Sequence, residues 1–221
     1  MSISASGRSP MARFSSPSLL TAEEEVALEA AGRRGEARRR IAAAGIPLRY
    51  RDAGLGGCHP DIAGYVERCA GGEVLNLVIA GDAGEGKTHA ACAALAAVMA
   101  RRPALAAFVD EPSVIAEMRG TWGSREREDD VLCRYAAPWL LVLDDLGRGR
   151  PDGRTLEMLW RLVNRRYSAR RPTIYTCQYD RQSLAARFQA GGGDAETARA
   201  IVRRVMDDGN AVVCRARGGA S

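Results

Sequence analysis

The chain has 221 residues, 46% of them hydrophobic, and a formal net charge of +5. That suits one domain with a proper core, and no apolar run approaches the ~20 residues of a membrane span. Six scattered cysteines without a C-x-x-C pair argue against a zinc site or a disulfide framework. Free thiols suit a reducing cytoplasm, and the excess of base is compatible with a nucleic-acid partner.

Residues 1–20 are rich in Ser, carry Arg8 and Arg13 with no acid, and read as a disordered tail. Thr21-Ala22-Glu23-Glu24 has the form of a capping box. Acids gather at the start of the segment that follows. Arginines (Arg33, Arg34, Arg38, Arg39, Arg40) gather at its end, as the helix dipole favours. Gly45 and Pro47 stop it, so residues 21–44 are predicted to form a helical arm ahead of a core domain over 45–221.

Val74–Ala80 reads as a buried strand, and the alanine-rich run from His89 to Ala100 as a helix packed closely on a sheet. Alternation then continues. Ala104–Val109 is a strand, Pro112–Arg119 and Ser124–Ala137 are helical, and Trp139–Leu143 is a third strand. Thr155–Ala169 is an amphipathic helix, Thr173–Cys177 a fourth strand, and Ala211–Cys214 a last one. Helices near Gln182–Gln189 and Ala195–Met206 are joined by Gly191-Gly192-Gly193, which reads as a flexible joint. The pattern predicts an α/β fold, a parallel five-stranded sheet flanked by helices.

Between the first strand and its helix lies Gly81-Asp82-Ala83-Gly84-Glu85-Gly86-Lys87-Thr88, followed by His89. This has the form G-x-x-x-x-G-K-[ST] in the required strand–turn–helix order. Its backbone N–H groups would cradle the phosphates of ATP, Lys87 would reach the terminal ones, and the Thr88 hydroxyl would ligate Mg²⁺. Lys87 is the single lysine among 32 Lys and Arg residues. A compact ammonium is thus kept at the one place where it differs in kind from a guanidinium fork.

The third strand ends in Asp144-Asp145. A P-loop ATPase needs one carboxylate there to hold Mg²⁺ and a second to orient or deprotonate the attacking water. Asp144 takes the first role and Asp145 the second.

Leu143-Asp144-Asp145-Leu146-Gly147, with Gly86-Lys87-Thr88-His89 upstream, resembles the AAA+ helicase-loader ATPases of bacteria and phages, the DnaC type, and equally their relatives, the IstB-like transposition helper ATPases. Ala44-Gly45-Ile46-Pro47, Asn164-Arg165-Arg166-Tyr167 and Arg203-Arg204-Val205-Met206-Asp207 extend the likeness over roughly residues 41–217. The resemblance implies an AAA+ P-loop NTPase without a full helical lid domain, and Asp145, shorter than the Glu of the common AAA+ Asp-Glu pair, points to slow, switch-like ATP hydrolysis. It implies a γ-phosphate sensor at the end of the fourth strand, where Gln178 stands in place of the usual Asn. It implies an arginine finger, which falls on Arg204 with Arg203 as its neighbour, and hence an ATP-dependent homo-oligomer. Two partner sets remain open. One is a replicative helicase with single-stranded DNA, and the other is a transposase with duplex DNA. A small P-loop kinase would lack such an acid pair, and a protein that merely holds ATP would not need Lys87, Thr88, Asp144 and Asp145 all intact.

Overall fold

The computed structural model describes residues 32, 35–125, 127–207 and 209–218. The tail over 1–20 and the capping box that opens the arm lie outside the described residues. Residues 36–43 are helical and belong to the compact unit Glu36–Ser221. Among the described residues no helix is long and apolar enough to cross a membrane.

Five strands form one sheet: β1 (Asn76–Ala80), β2 (Ala106–Asp110), β3 (Leu140–Leu146), β4 (Thr173–Cys177) and β5 (Ala211–Cys214). Their spatial order is β2-β3-β4-β1-β5, and every pairing is parallel. Parallel neighbours need crossovers, and helices supply them. These are α2 (Lys87–Arg101), α3 (Glu111–Gly120), α4 (Glu128–Ala136), α5 (Gly153–Ser168), α6 (Arg181–Gln189) and α7 (Ala195–Val205), with α1 (Pro60–Ala70) ahead of β1.

Strand alternation divides the core in two. Leu77 and Ile79 face one side with Val142 and Ile174, under α1 and the alanine-rich α2. Val78 faces the other with Leu141, Leu143 and Tyr175, under α3 to α7. Both faces are covered, so the strands read as continuous apolar runs. The outer edge of β2 is closed where Ala44 C=O accepts from Phe108 N at 2.7 Å. An unpaired strand edge would otherwise invite pairing with another chain.

Aspartates start four of the helices. Asp110, Asp152, Asp180 and Asp194 accept from Ser113, Thr155, Ser183 and Thr197 N–H groups in α3, α5, α6 and α7. One buried cation ties the far edge of the sheet together. The Arg166 guanidinium donates to the Pro138, Trp139 and Pro172 carbonyls and to Thr173 Oγ1. It thereby pins the starts of β3 and β4, and burial pushes its pKa down to about 10.

Helix α1 was not legible in the sequence. His59 caps it through Nδ1, which accepts from Asp61 N at 3.3 Å, and Pro60 occupies its first position. The glycine run between α6 and α7 also differs from expectation. A Cβ on Gly191 would lie 2.2 Å from Pro151 O, and one on Gly193 2.2 Å from Leu156 Cδ2. These glycines let backbone approach backbone and are packed, not loose. Gly191→Ala should therefore lower stability by about 1–3 kcal/mol, since overpacking against a backbone carbonyl forces the chain apart. Denaturant melts check this, and a flexible joint would tolerate the change without loss.

Candidate nucleotide-binding site

The C-terminal ends of β1, β3 and β4 meet above α2. After β1 the chain turns through Gly84 and Gly86, both at φ 86°, a conformation that costs glycine little and other residues much. Gly86 is also the N-cap of α2, and it has no side chain to bond the first N–H groups of that helix. Where aspartates close the starts of α3, α5, α6 and α7, this one stays open, and its N–H groups and dipole face any anion placed there. The mouth of the loop is rimmed by Asp82, Glu85, Arg215 and Arg217 around a cavity of about 410 Å³.

Lys87 is nearly buried, and its Nζ donates to the Asp82 carbonyl at 2.6 Å. Thr88 Oγ1 donates to the Asp144 carboxylate, at 3.2 Å from Oδ1 and 3.0 Å from Oδ2. Asp144 also accepts from Thr176 Oγ1 at 2.5 Å. Burial pushes the Asp144 pKa up, the Thr176 and Thr88 bonds pull it down, and Asp145 and Asp110 push it up further. The two threonines thus favour the charged form that a cation requires. A hydroxyl and a carboxylate facing each other at 3.0 Å form a hard oxygen pair of the kind Mg²⁺ takes alongside phosphate. No group of three or more His, Cys, Asp or Glu suited to a metal occurs among the described residues.

Asp145 points elsewhere. With Ala83 of the P-loop, Arg148 and Gln178 it lines a cleft of about 300 Å³. Its N–H donates to Thr176 Oγ1 at 2.9 Å, and its Oδ2 accepts from Arg148 Nη1 at 2.9 Å. Gln178 is exposed just past the end of β4. On the other flank, His89, Gly56, Gly57, Cys58 and Arg217 line a cavity of about 390 Å³ that also touches Gly86.

The structure therefore gathers Gly81 to His89, Asp144, Asp145 and Gln178 at one sheet edge. Arg204 lies elsewhere. Its carbonyl accepts from Asn76 Nδ2 at 3.0 Å, and Asn76 starts β1, whereas the P-loop follows the end of that strand. Its guanidinium packs over Trp160 and Tyr167, 5.9 and 5.7 Å from the ring centroids, and donates to Ala200 O. Arg203 is exposed beside a groove between α6 and α7.

Sequence reading missed three residues near the site. Thr176 holds both aspartates, yet in sequence it is one Thr in a buried strand. Arg148 is one of many arginines. Glu111 looks like an ordinary first-turn acid of α3, but it is fully buried and its Oε2 accepts from Gly149 N at 2.7 Å.

An AAA+ P-loop fold with a Gly-rich anion loop, an adjoining Thr–Asp pair and a second carboxylate defines a nucleotide-binding protein. Residues 71–217 match the model of the IstB-like ATP binding protein family, and the chain belongs to that family. No curated protein matches it. Among solved structures it is similar to the DnaC helicase loader, with 24% identity and a TM-score of 0.59 over 76% of this chain and 99% of that one. It is similar to DnaI, with 19% identity and a TM-score of 0.63 over 77% and 94%. It is also similar to a replication initiator DnaA bound to AMPPCP and single-stranded DNA, with 18% identity and a TM-score of 0.58 over 79% and 51%. These likenesses show the shared fold.

Glu111 makes a testable mark on stability. Burial pushes its carboxyl up to about 7 from 4.5, Gly149 and Gly147 N–H groups and Arg187 pull it down, and Asp145 pushes it up. An acid that holds its proton more tightly when folded binds more protons in the native state. Stability is then full below the unfolded value and falls as pH rises from about 4.5 towards 7, by the order of 3 kcal/mol. Glu111→Gln cannot ionise, so its stability relative to the parent should rise across that window. Thermal melts at pH 5 and pH 8 check this, and an equal difference at both would show that Glu111 ionises freely.

Proposed function

We propose that the protein is an ATP-hydrolysing switch that loads a replicative helicase onto single-stranded DNA. The observation that carries the hydrolytic part is Asp145, held beside Gln178 across the cleft from Ala83 of the P-loop. In this reading Lys87 and the N–H groups of the loop bind the phosphates of ATP. Asp144 and Thr88 would hold Mg²⁺, which when bound neutralises phosphate charge. Asp145 orients the attacking water and takes its proton. Gln178 contacts the terminal phosphate through its amide, which offers the same donor and acceptor as Asn.

Arg203 and Arg204 lie at the opposite sheet edge from their own P-loop, so an arginine finger from this block acts on the ATP of a second subunit. Arg203 is the exposed member of the pair, and Arg204 is partly engaged with α5. Such a finger implies an oligomer that forms with ATP. The client helicase is supported by the likeness to the DnaC loader, which extends over 99% of that chain. Grip on single-stranded DNA is supported by the likeness to DnaA bound to such a strand. A second reading, delivery of duplex DNA to a transposase, is favoured by the IstB-like family itself.

Lys87→Ala should abolish measurable ATP binding with the fold unchanged by circular dichroism. Asp145→Asn should keep binding and lower turnover about a hundred-fold or more, the usual size of a lost general base. Turnover at the parent rate in Asp145→Asn would remove the hydrolytic role. Oligonucleotide binding should weaken steeply with salt, because arginine contacts release counterions from phosphates. Preference for single strands supports the helicase loader, and preference for duplex supports the transposition helper.

A further inference from the structure

We propose that Arg148 masks Asp145 and so holds basal ATP turnover down, and that Glu111 is the positioning residue that sets this mask by fixing the loop on which Arg148 stands. The inference rests on the hydrolytic role given to Asp145 above.

Arg148 follows β3 by two residues. The turn that returns it is closed by Arg148 N–H donating to Asp145 C=O at 3.0 Å. Its guanidinium then reaches back over the same residue, with Nη1 2.9 Å from Oδ2. The Asp145 side chain is 26% exposed and that of Arg148 66%. A carboxylate oxygen committed to a guanidinium is less free to orient water. An exposed ion pair is also weak, so this one opens readily and lowers turnover without abolishing it. Both residues line the cleft beside Ala83. When the pair opens, Asp145 is released for the water on the cleft side.

The loop carrying Arg148 is pinned on both sides. Glu111 Oε2 takes the Gly149 N–H at 2.7 Å. Gly149 packs closely on α3, since a Cβ there would fall 2.5 Å from Ile115 Cδ1 and 3.0 Å from Glu111 Oε2. On the other side, Arg187 Nε donates to Gly147 C=O at 3.0 Å, and a Cβ on Gly147 would lie 2.7 Å from Leu184. Arg148 sits between these two fixed points. Capping does not account for Glu111, because Asp110 already caps α3 through Ser113 N. Among the described residues its Oε1 has no hydrogen-bond partner, so a costly buried carboxyl is kept for its hold on this loop. Arg187 and Leu184 belong to α6, so a shift of that helix reaches Asp145 through the same loop.

The test is steady-state ATP turnover and ATP affinity of the full chain without partner. Arg148→Ala should raise turnover several-fold with ATP affinity unchanged. Glu111→Ala should raise it in the same direction, and Glu111→Gln should return it to the parent rate, because the amide oxygen still accepts from Gly149. The Arg148→Ala/Glu111→Ala pair should be no faster than Arg148→Ala alone, since both changes remove one mask. Should Glu111→Ala fail to fold, Gly149→Ala displaces the loop by its clash with Ile115 and should likewise raise turnover. Slower or unchanged turnover in Arg148→Ala overturns the proposal, and slower turnover with weaker ATP binding would make Arg148 a phosphate ligand only. Asp145→Asn separates the two levels. If it is inactive and Arg148→Ala is not raised, only the mask fails. If it turns over ATP like the parent, the hydrolytic reading fails with it.

Discussion

The candidate site depends on an irregularity at the end of β3. Leu143 pairs with Tyr175 and Leu146 with Cys177, so three steps along β3 are matched by two along β4. In a regular strand, neighbouring side chains point to opposite faces of the sheet, and Asp144 and Asp145 would part company. The bulge turns both towards the P-loop edge. Asp145 sits at φ 55°, a left-handed conformation that Asp tolerates better than most residues. Thr176 stabilises the distortion by filling the break in the ladder, where its hydroxyl donates to Asp144 and accepts from Asp145 N–H. Bulges are over-represented next to active sites because they re-aim side chains, and here two adjacent acids gain two different surroundings.

Those surroundings separate the two acids chemically. Asp144 is buried under Thr88 and Thr176, which bond its charged form and offset the cost of desolvation. Asp145 remains reachable from the cleft, and its carboxylate meets the exposed Arg148. A metal-holding carboxylate needs a fixed position, and a carboxylate that handles water needs access. On the proposed reading one bulged strand end supplies both, because the threonine of its neighbour pins one acid by the side chain and the other by the backbone.

Much of this was legible in the sequence, and what was not shares one cause. Strands β4 and β5 fall where their apolar runs end, and the P-loop lies in its expected turn. The apolar run of β3 stops at Leu143 and the two acids mark its expected end, yet the strand runs on to Leu146. Two acids look like a strand end unless the partner that satisfies them is known. Thr176 and Glu111 owe their roles to Asp144, Asp145 and Gly149, which lie 31 to 38 residues away in sequence. Such partners leave no periodicity to read. Gly191 and Gly193 show the same limit, because a glycine that permits motion and one that permits contact are written identically.

The sheet also fixes what the late arginines can meet. Asn76 opens β1 and bonds both the Arg204 carbonyl and, through Oδ1, the Thr173 N–H at 3.1 Å. The start of β1, the start of β4 and the end of α7 are thus joined at one edge. The P-loop and Gln178 leave the same two strands at the other edge. Five residues of strand span about 15 Å, and a central strand hydrogen-bonded on both sides does not shorten. Arg204 and its own P-loop are therefore held apart by a rigid spacer. In the proposed oligomer, the P-loop that the Arg203–Arg204 block reaches is therefore that of a second molecule, because no bending of its own chain brings it to its own.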